Sequence, residues 1–326
     1  MNKIITYSAA YTLVPTYECF NRCTYCNFRV DPGKDSWLTI PQAKNKLTQL
    51  QGKNICEILI LSGEVHPQSR ERKSWFQLIY DLCELALSMG FLPHTNVGPL
   101  SYEEMSQLKE VNVSMGLMLE QLTPTLGNTV HRYAPSKVPE LRLQQLELAG
   151  ELLIPFTTGL LLGIGESEQD WWDSLNAIAS LQVKYGHIQE VILQPHSLGQ
   201  QQESQTPSFN LRKLPEVIAK ARQILPETIT IQIPPNLIPE LEFLLDCLAG
   251  GASDLGGIGP IDEVNPDYEH FSLENLSKSL KTAGYTLVQR LPVYPQYYGW
   301  LGDRLQKIVE TWTHTNRIDS SKLKTK

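Results

Sequence analysis

Apolar runs and amphipathic stretches alternate along this chain with a regularity that permits few architectures. Runs suited to buried strands fall at Tyr11–Thr16, Glu57–Leu61, Phe91–Asn96, Val113–Leu119, Pro155–Leu162, Ile188–Gln194 and Thr228–Ile233. The intervals carry helical apolar spacing: Ile40–Leu50, Ser74–Met89, Ser101–Lys109, Val138–Leu152, Ser167–Tyr185, Leu211–Leu225 and Leu237–Leu248. Short strands that are apolar on both faces, each followed by a helix, build a parallel sheet, because parallel neighbours need a long crossover between them. Ser253–Ile258 followed by Leu273–Ala283 offers a less regular eighth unit. The pattern predicts an α/β fold, a TIM-type (β/α) barrel of eight or nearly eight units.

No linker divides the chain, since its 21 glycines and 21 prolines punctuate unit boundaries. One domain is expected over residues 1–313. Its C-terminal extension starts at about residue 285, with Tyr285–Trp300 as an extended Tyr- and Pro-rich segment packed over the barrel. Residues 314–326 are polar and expected to be a disordered tail. A net charge of -7, with a basic run only at Lys322, Lys324 and Lys326, argues against nucleic acid or an anionic membrane as partner. The first ten residues lack a signal-peptide pattern and no apolar run reaches spanning length, so a cytoplasmic protein is expected.

Six cysteines fit that compartment. Cys56, Cys83 and Cys247 sit in apolar or helical patterns and read as small buried hydrophobes. Cys19, Cys23 and Cys26 differ, because the spacing C-x3-C-x2-C places three soft sulfurs on one short loop. Such thiolates select zinc, copper(I) or an iron–sulfur cluster. A cubane cluster has four irons, so three thiolates leave one iron open, as catalysis requires. The competing reading is a closed zinc site with His66 as fourth ligand; a barrel of this size does not need such a staple.

In a (β/α) barrel the residues after each strand share one face, and that face carries the active site. The cysteine loop follows the first strand. Ser62-Gly63-Glu64 follows the second, His94 and Asn96 end the third, and Glu120 follows the fourth. Gly163-Ile164-Gly165-Glu166 follows the fifth, and Gln194 and His196 flank the end of the sixth. Glu166 has a second reading as a carboxylate at the N-terminus of the helix beginning near Ser167. His131, Arg132 and Arg142 lie beyond the fourth strand, where an arginine reads more simply as a surface helix charge. Thr157 and Thr158 point to opposite faces of their strand, so only one of them can face a cavity.

The loop Cys19–Cys26 resembles the radical S-adenosylmethionine (SAM) superfamily. The resemblance implies a 4Fe–4S cluster on Cys19, Cys23 and Cys26, with SAM chelating the open iron through its amino and carboxylate groups. It also implies SAM contacts from Tyr25, from Ser62, Gly63 and Glu64, from Glu120, and from Gly163, Gly165 and Glu166. Ser62 stands where the superfamily's motif has glycine. Further segments, Pro93–Asn96, Ser114–Glu120, Pro155–Gly159 with Gly163–Glu166, Tyr185–Ile192 and Asp254–Ile258 with Asn265-Pro266, resemble the deazaflavin-forming FO synthase family, first subunit, within that superfamily.

That family resemblance implies a definite reaction. The substrate is an adduct of the 4-hydroxybenzyl group of tyrosine with 5-amino-6-ribitylaminouracil, supplied by a partner subunit. An external donor such as flavodoxin or ferredoxin provides the electron that cleaves SAM to methionine and a 5′-deoxyadenosyl radical. Hydrogen abstraction, cyclisation, ammonia loss and oxidation then yield the deazaflavin. His94, Asn96, Thr158, Gln194 and His196 are the residues expected to grip the substrate's uracil and ribityl groups.

Overall fold

The computed structural model describes residues 3–203 and 206–315. In chain order it builds β1 (Lys3–Leu13), α1 (Ile40–Thr48), β2 (Glu57–Leu61), α2 (Arg72–Ser88), β3 (Leu92–Asn96), α3 (Tyr102–Lys109) and β4 (Ser114–Gly116). There follow α4 (Pro139–Glu151), β5 (Phe156–Leu162), α5 (Glu168–Tyr185), β6 (Ile188–Pro195), α6 (Leu214–Ile224), β7 (Thr230–Gln232), α7 (Leu241–Gly250), β8 (Asp254–Ile258), α8 (Leu273–Thr282), β9 (Tyr285–Arg290) and α9 (Asp303–Thr315). β1 to β8 pair in parallel, and the β1–β2 pairing closes them into a barrel. The eight-unit barrel expected from the apolar pattern is the fold.

Local chemistry explains the boundaries. Thr39, Ser101 and Ser167 each cap a helix with a reciprocal capping box, to Gln42, Glu104 and Asp170. Gly186 ends α5 in the left-handed region at φ 70°, which glycine enters without a Cβ penalty. Every residue of β5 is buried, as in a strand covered on both faces. Cys56, Cys83 and Cys247 are fully buried free thiols.

One expectation needs correction and another is sharpened. The first strand is Lys3–Leu13 rather than Tyr11–Thr16, so the chain leaves the sheet before Val14. The pattern misled because β1 has a different neighbour at each end of one edge. Its residues Ala10–Leu13 pair with β2, while Lys3–Ser8 pair with β9. The C-terminal extension is the second. Tyr285–Arg290 is a ninth strand, and the chain then turns beneath the barrel, where Pro292 O accepts from Ser114 Oγ at 2.5 Å and from Gln189 Nε2 at 3.0 Å. Tyr297 OH donates to Ile188 O at 3.3 Å. This segment therefore packs on the barrel as expected, and does so as its floor.

Beyond it, α9 buries Leu305 and Val309, and Arg304 pairs with Glu84 on α2. His314 and Thr315 belong to that helix; the rest of the expected disordered tail, residues 316–326, lies outside the described residues. Among the described residues no helix is long and apolar enough to cross a membrane.

Candidate active site

Backbone hydrogen bonds hold the cysteine loop over the C-terminal end of the barrel. Phe20 N donates to Glu64 O at 3.0 Å, Arg22 N to Tyr133 O at 2.7 Å, and Thr24 N to Val130 O at 3.1 Å. The segments after β2 and β4 thus fix the loop from two sides. Gly63 is required for this contact, since a Cβ there would lie 2.1 Å from Glu18 O.

Cys19, Cys23 and Cys26 all line one cavity of about 380 Å³ inside the barrel mouth. Burial, with the Glu64 charge adding to it, pushes the Cys19 thiol up to about 11; burial pushes Cys23 up to about 12 against the opposing charge of Lys137. Metal must therefore displace protons on binding. Among the described residues no three His, Cys, Asp or Glu side chains converge closely enough to hold a single metal ion. His66 does not complete a zinc site. It is exposed, its Nδ1 accepts from Gln68 N at 3.1 Å, and its ring packs against Phe20.

Behind the loop stands a polar network. Asn21 Nδ2 donates to Glu64 Oε2 at 2.9 Å and to Ser136 Oγ at 2.8 Å. Arg142 Nη2 pairs with Glu64 Oε1 at 3.1 Å, while its Nε donates to Ser136 O at 2.9 Å. Arg142 is only 1% exposed, so its reading as a surface charge is wrong. Helical spacing misled because α4 is polar on faces that turn toward the barrel mouth.

Glu120 lies at the cavity with φ 65°, left-handed backbone that a non-glycine residue adopts only under constraint. Its carboxylate accepts from Lys137 Nζ. Burial would raise its pKa, but Lys137 and then Arg142 outweigh that and hold it below the usual carboxylate value. Lys137 was not singled out from sequence; a lysine between Pro135 and Pro139, just before a helix, is a weak signal on its own. Tyr25 also lines the cavity, and its OH meets His131 Nε2 at 2.9 Å.

Ser62, Gly63, Glu64, His94, Asn96, Gln194 and His196 line the same cavity. Four of the expected residues do not. Thr158 faces away and accepts from Leu119 N at 3.2 Å, leaving Thr157 as the threonine on the cavity. Gly163 and Gly165 form a turn outside the cavity lining, at φ 92° and 119°. Glu166 closes that turn, accepting from Gly163 N at 2.5 Å and Ile164 N at 2.8 Å, and Trp171 Nε1 donates to it at 2.6 Å. It does not cap α5; Ser167 does.

The floor was not foreseen. Arg290, from β9, forms a two-point pair with Asp254 at 2.6 and 2.9 Å and an ion pair with Glu190. Tyr294 OH donates to Glu190 Oε1 at 2.9 Å, and Thr157 Oγ1 to Glu190 Oε2 at 3.0 Å. Glu57, also buried, lines the cavity beside them. Three carboxylates thus surround one guanidinium. Burial is the main cause raising Glu190 to about 7, with the Asp254 charge adding and Arg290 opposing. The sequence signal was a carboxylate at the start of an apolar strand, at Glu57, and within a buried one, at Glu190.

Fold and site together define a radical SAM barrel, and the radical SAM superfamily model matches residues 13–178. Solved structures agree on the fold. The [FeFe]-hydrogenase maturase HydG from Carboxydothermus hydrogenoformans superposes with a TM-score of 0.72 at 16% identity, covering 98% of this chain and 81% of that one. Methylornithine synthase PylB gives 0.67 at 14% identity, covering 88% and 84%. Among curated relatives, 7,8-didemethyl-8-hydroxy-5-deazariboflavin synthase of Trichormus variabilis is 67% identical over 95% of this chain and 91% of its own length. The synthase of the same name from Synechocystis sp. is 64% identical over 93% and 97%. The chain belongs to the 7,8-didemethyl-8-hydroxy-5-deazariboflavin synthase family of the radical SAM superfamily. The cofactors of that superfamily are a 4Fe–4S cluster and SAM.

Proposed function

We propose that this chain forms 7,8-didemethyl-8-hydroxy-5-deazariboflavin (FO) from the adduct of a tyrosine-derived 4-hydroxybenzyl group and 5-amino-6-ribitylaminouracil. Ammonia, methionine and 5′-deoxyadenosine leave, so the enzyme is a carbon–nitrogen lyase as well as a synthase. The observation that carries this reading is the opening of the three-cysteine loop onto a barrel cavity lined by polar as well as apolar side chains, in a chain 67% identical to a synthase of that name.

Cys19, Cys23 and Cys26 would hold the cluster. When bound, cluster and SAM supply hydrogen abstraction from an unactivated carbon, chemistry that no side chain provides. The chain's own residues do the rest. Glu64 and Glu120, each tied to a buried cation, present fixed acceptors beside the loop. His94, Asn96, Thr157 and Gln194 line the walls with donors and acceptors suited to a uracil ring and a ribityl chain. The floor segment, through Arg290 and Pro292, closes the far end and keeps solvent out. A partner subunit supplying the adduct, an external electron donor such as flavodoxin or ferredoxin, and a cytoplasmic setting belong to the same proposal.

Two measurements test it. Supplied with purified adduct, SAM and reductant, the reconstituted protein is expected to develop deazaflavin fluorescence; fluorescence from tyrosine and the diaminouracil without the partner would contradict the subunit assignment. Cys23→Ala, reconstituted anaerobically, is expected to lose both the broad visible absorbance of the cluster and SAM cleavage. Wild-type levels of both would end the proposal.

A further inference from the structure

His94 stands on β3 with its ring inside the barrel, 8% exposed and lining the cavity. Its Nδ1 lies 2.7 Å from Ser114 Oγ. Ser114 Oγ in turn lies 2.5 Å from Pro292 O, on the floor segment. A carbonyl oxygen can only accept, and two oxygens approach so closely only with a proton between them. The single hydroxyl proton of Ser114 is therefore committed to Pro292. Ser114 must accept from His94, which requires the imidazole proton on Nδ1. Burial, with the Arg290 charge adding, lowers the His94 pKa to about 3, so the ring is neutral near pH 7.

The other nitrogen then carries a bare lone pair. No protein donor engages His94 Nε2 among the hydrogen bonds of the described residues. The space beside it is kept open by Gly116, where a Cβ would lie 2.9 Å from Nε2. A buried acceptor with its tautomer fixed from behind and a vacant approach in front selects a ligand that brings an N–H or O–H.

We propose that His94 Nε2 is a substrate acceptor for the ring N–H of a pyrimidinedione, and that the floor segment sets its tautomer through Pro292 and Ser114. The ligand class rests on the function proposed above; the tautomer does not. Ser114 is a positioning residue, whereas His94 touches the ligand.

The tautomer is read from long-range 1H–15N spectra of the full-length protein labelled at histidine, with His94→Gln assigning the signal. The expected pattern is a neutral ring protonated on Nδ1, and Ser114→Ala should shift the population toward Nε2–H. A wild-type ring protonated on Nε2, or on both nitrogens at neutral pH, would overturn the proposal. The ligand is tested with FO itself, by fluorescence titration of the cluster-loaded enzyme without reductant. His94→Leu leaves the imide N–H unpaired and should weaken binding about tenfold, while His94→Gln, which can present an amide oxygen, should stay within about threefold of wild type. Unchanged affinity in His94→Leu would remove the ligand assignment. Failure of the wild-type protein to bind FO would count against the assigned reaction, whereas the tautomer stands or falls on the spectra alone.

Discussion

Arg142 Nη2 sits 3.1 Å from Glu64 Oε1, joining the helix after β4 to the end of β2 directly behind the cysteine loop. Both side chains are largely withdrawn from water, and Ser136 and Asn21 bond into the same cluster. Removing one partner of such a pair strands the other charge in a poorly solvated site. Arg142→Met is therefore expected to cost about 3 kcal/mol of stability. Urea unfolding of the wild-type and variant chains measures this, and a loss below about 1 kcal/mol would place the pair with ordinary surface bridges.

Gly63 governs the loop by steric exclusion. A methyl group there meets the backbone carbonyl of Glu18, which cannot swing aside as a side-chain tip could. Gly63→Ala must displace the backbone just ahead of Cys19. The expected cost is about 1–3 kcal/mol, together with iron incorporation well below wild type while far-ultraviolet dichroism is retained. Full iron loading in the variant would show that the loop tolerates the shift.

The barrel was legible because both periodicities repeat unit after unit, and β2, β5 and β6 fall within a residue of the runs read from sequence. The cysteine trio was legible because its three thiols fall on one short loop of the chain. What escaped was built from long-range pairing. Arg290 reaches the cavity only because β9 replaces β2 along the lower half of β1, and no local pattern encodes that exchange. Arg142 and Lys137 escaped for a related reason. A charge on a helix or turn looks solvated until its buried partner, here Glu64 or Glu120, is known. Thr157 and Thr158 show the opposite limit, since alternation named the choice and only the direction of the strand's faces decided it.

The floor makes a pH-dependent prediction whose sign follows from Glu190. Burial is the leading cause that lifts its folded-state value to about 7, from an ordinary value of 4.5. Between those two values the folded chain binds more protons at this site than the unfolded chain does. Stability from this group is therefore greatest at low pH and falls as pH rises through that window. Glu190→Gln keeps the shape, and Arg290 retains its two-point pair with Asp254, but the titration is gone. The stability difference, variant minus wild type, should then grow by roughly 2 kcal/mol between pH 5 and pH 8, because only the wild-type chain must ionise a buried carboxyl group. Urea midpoints of both proteins at each pH measure that difference, in which titrating groups remote from the floor cancel. A difference that stays flat with pH would show that Arg290 holds Glu190 ionised throughout.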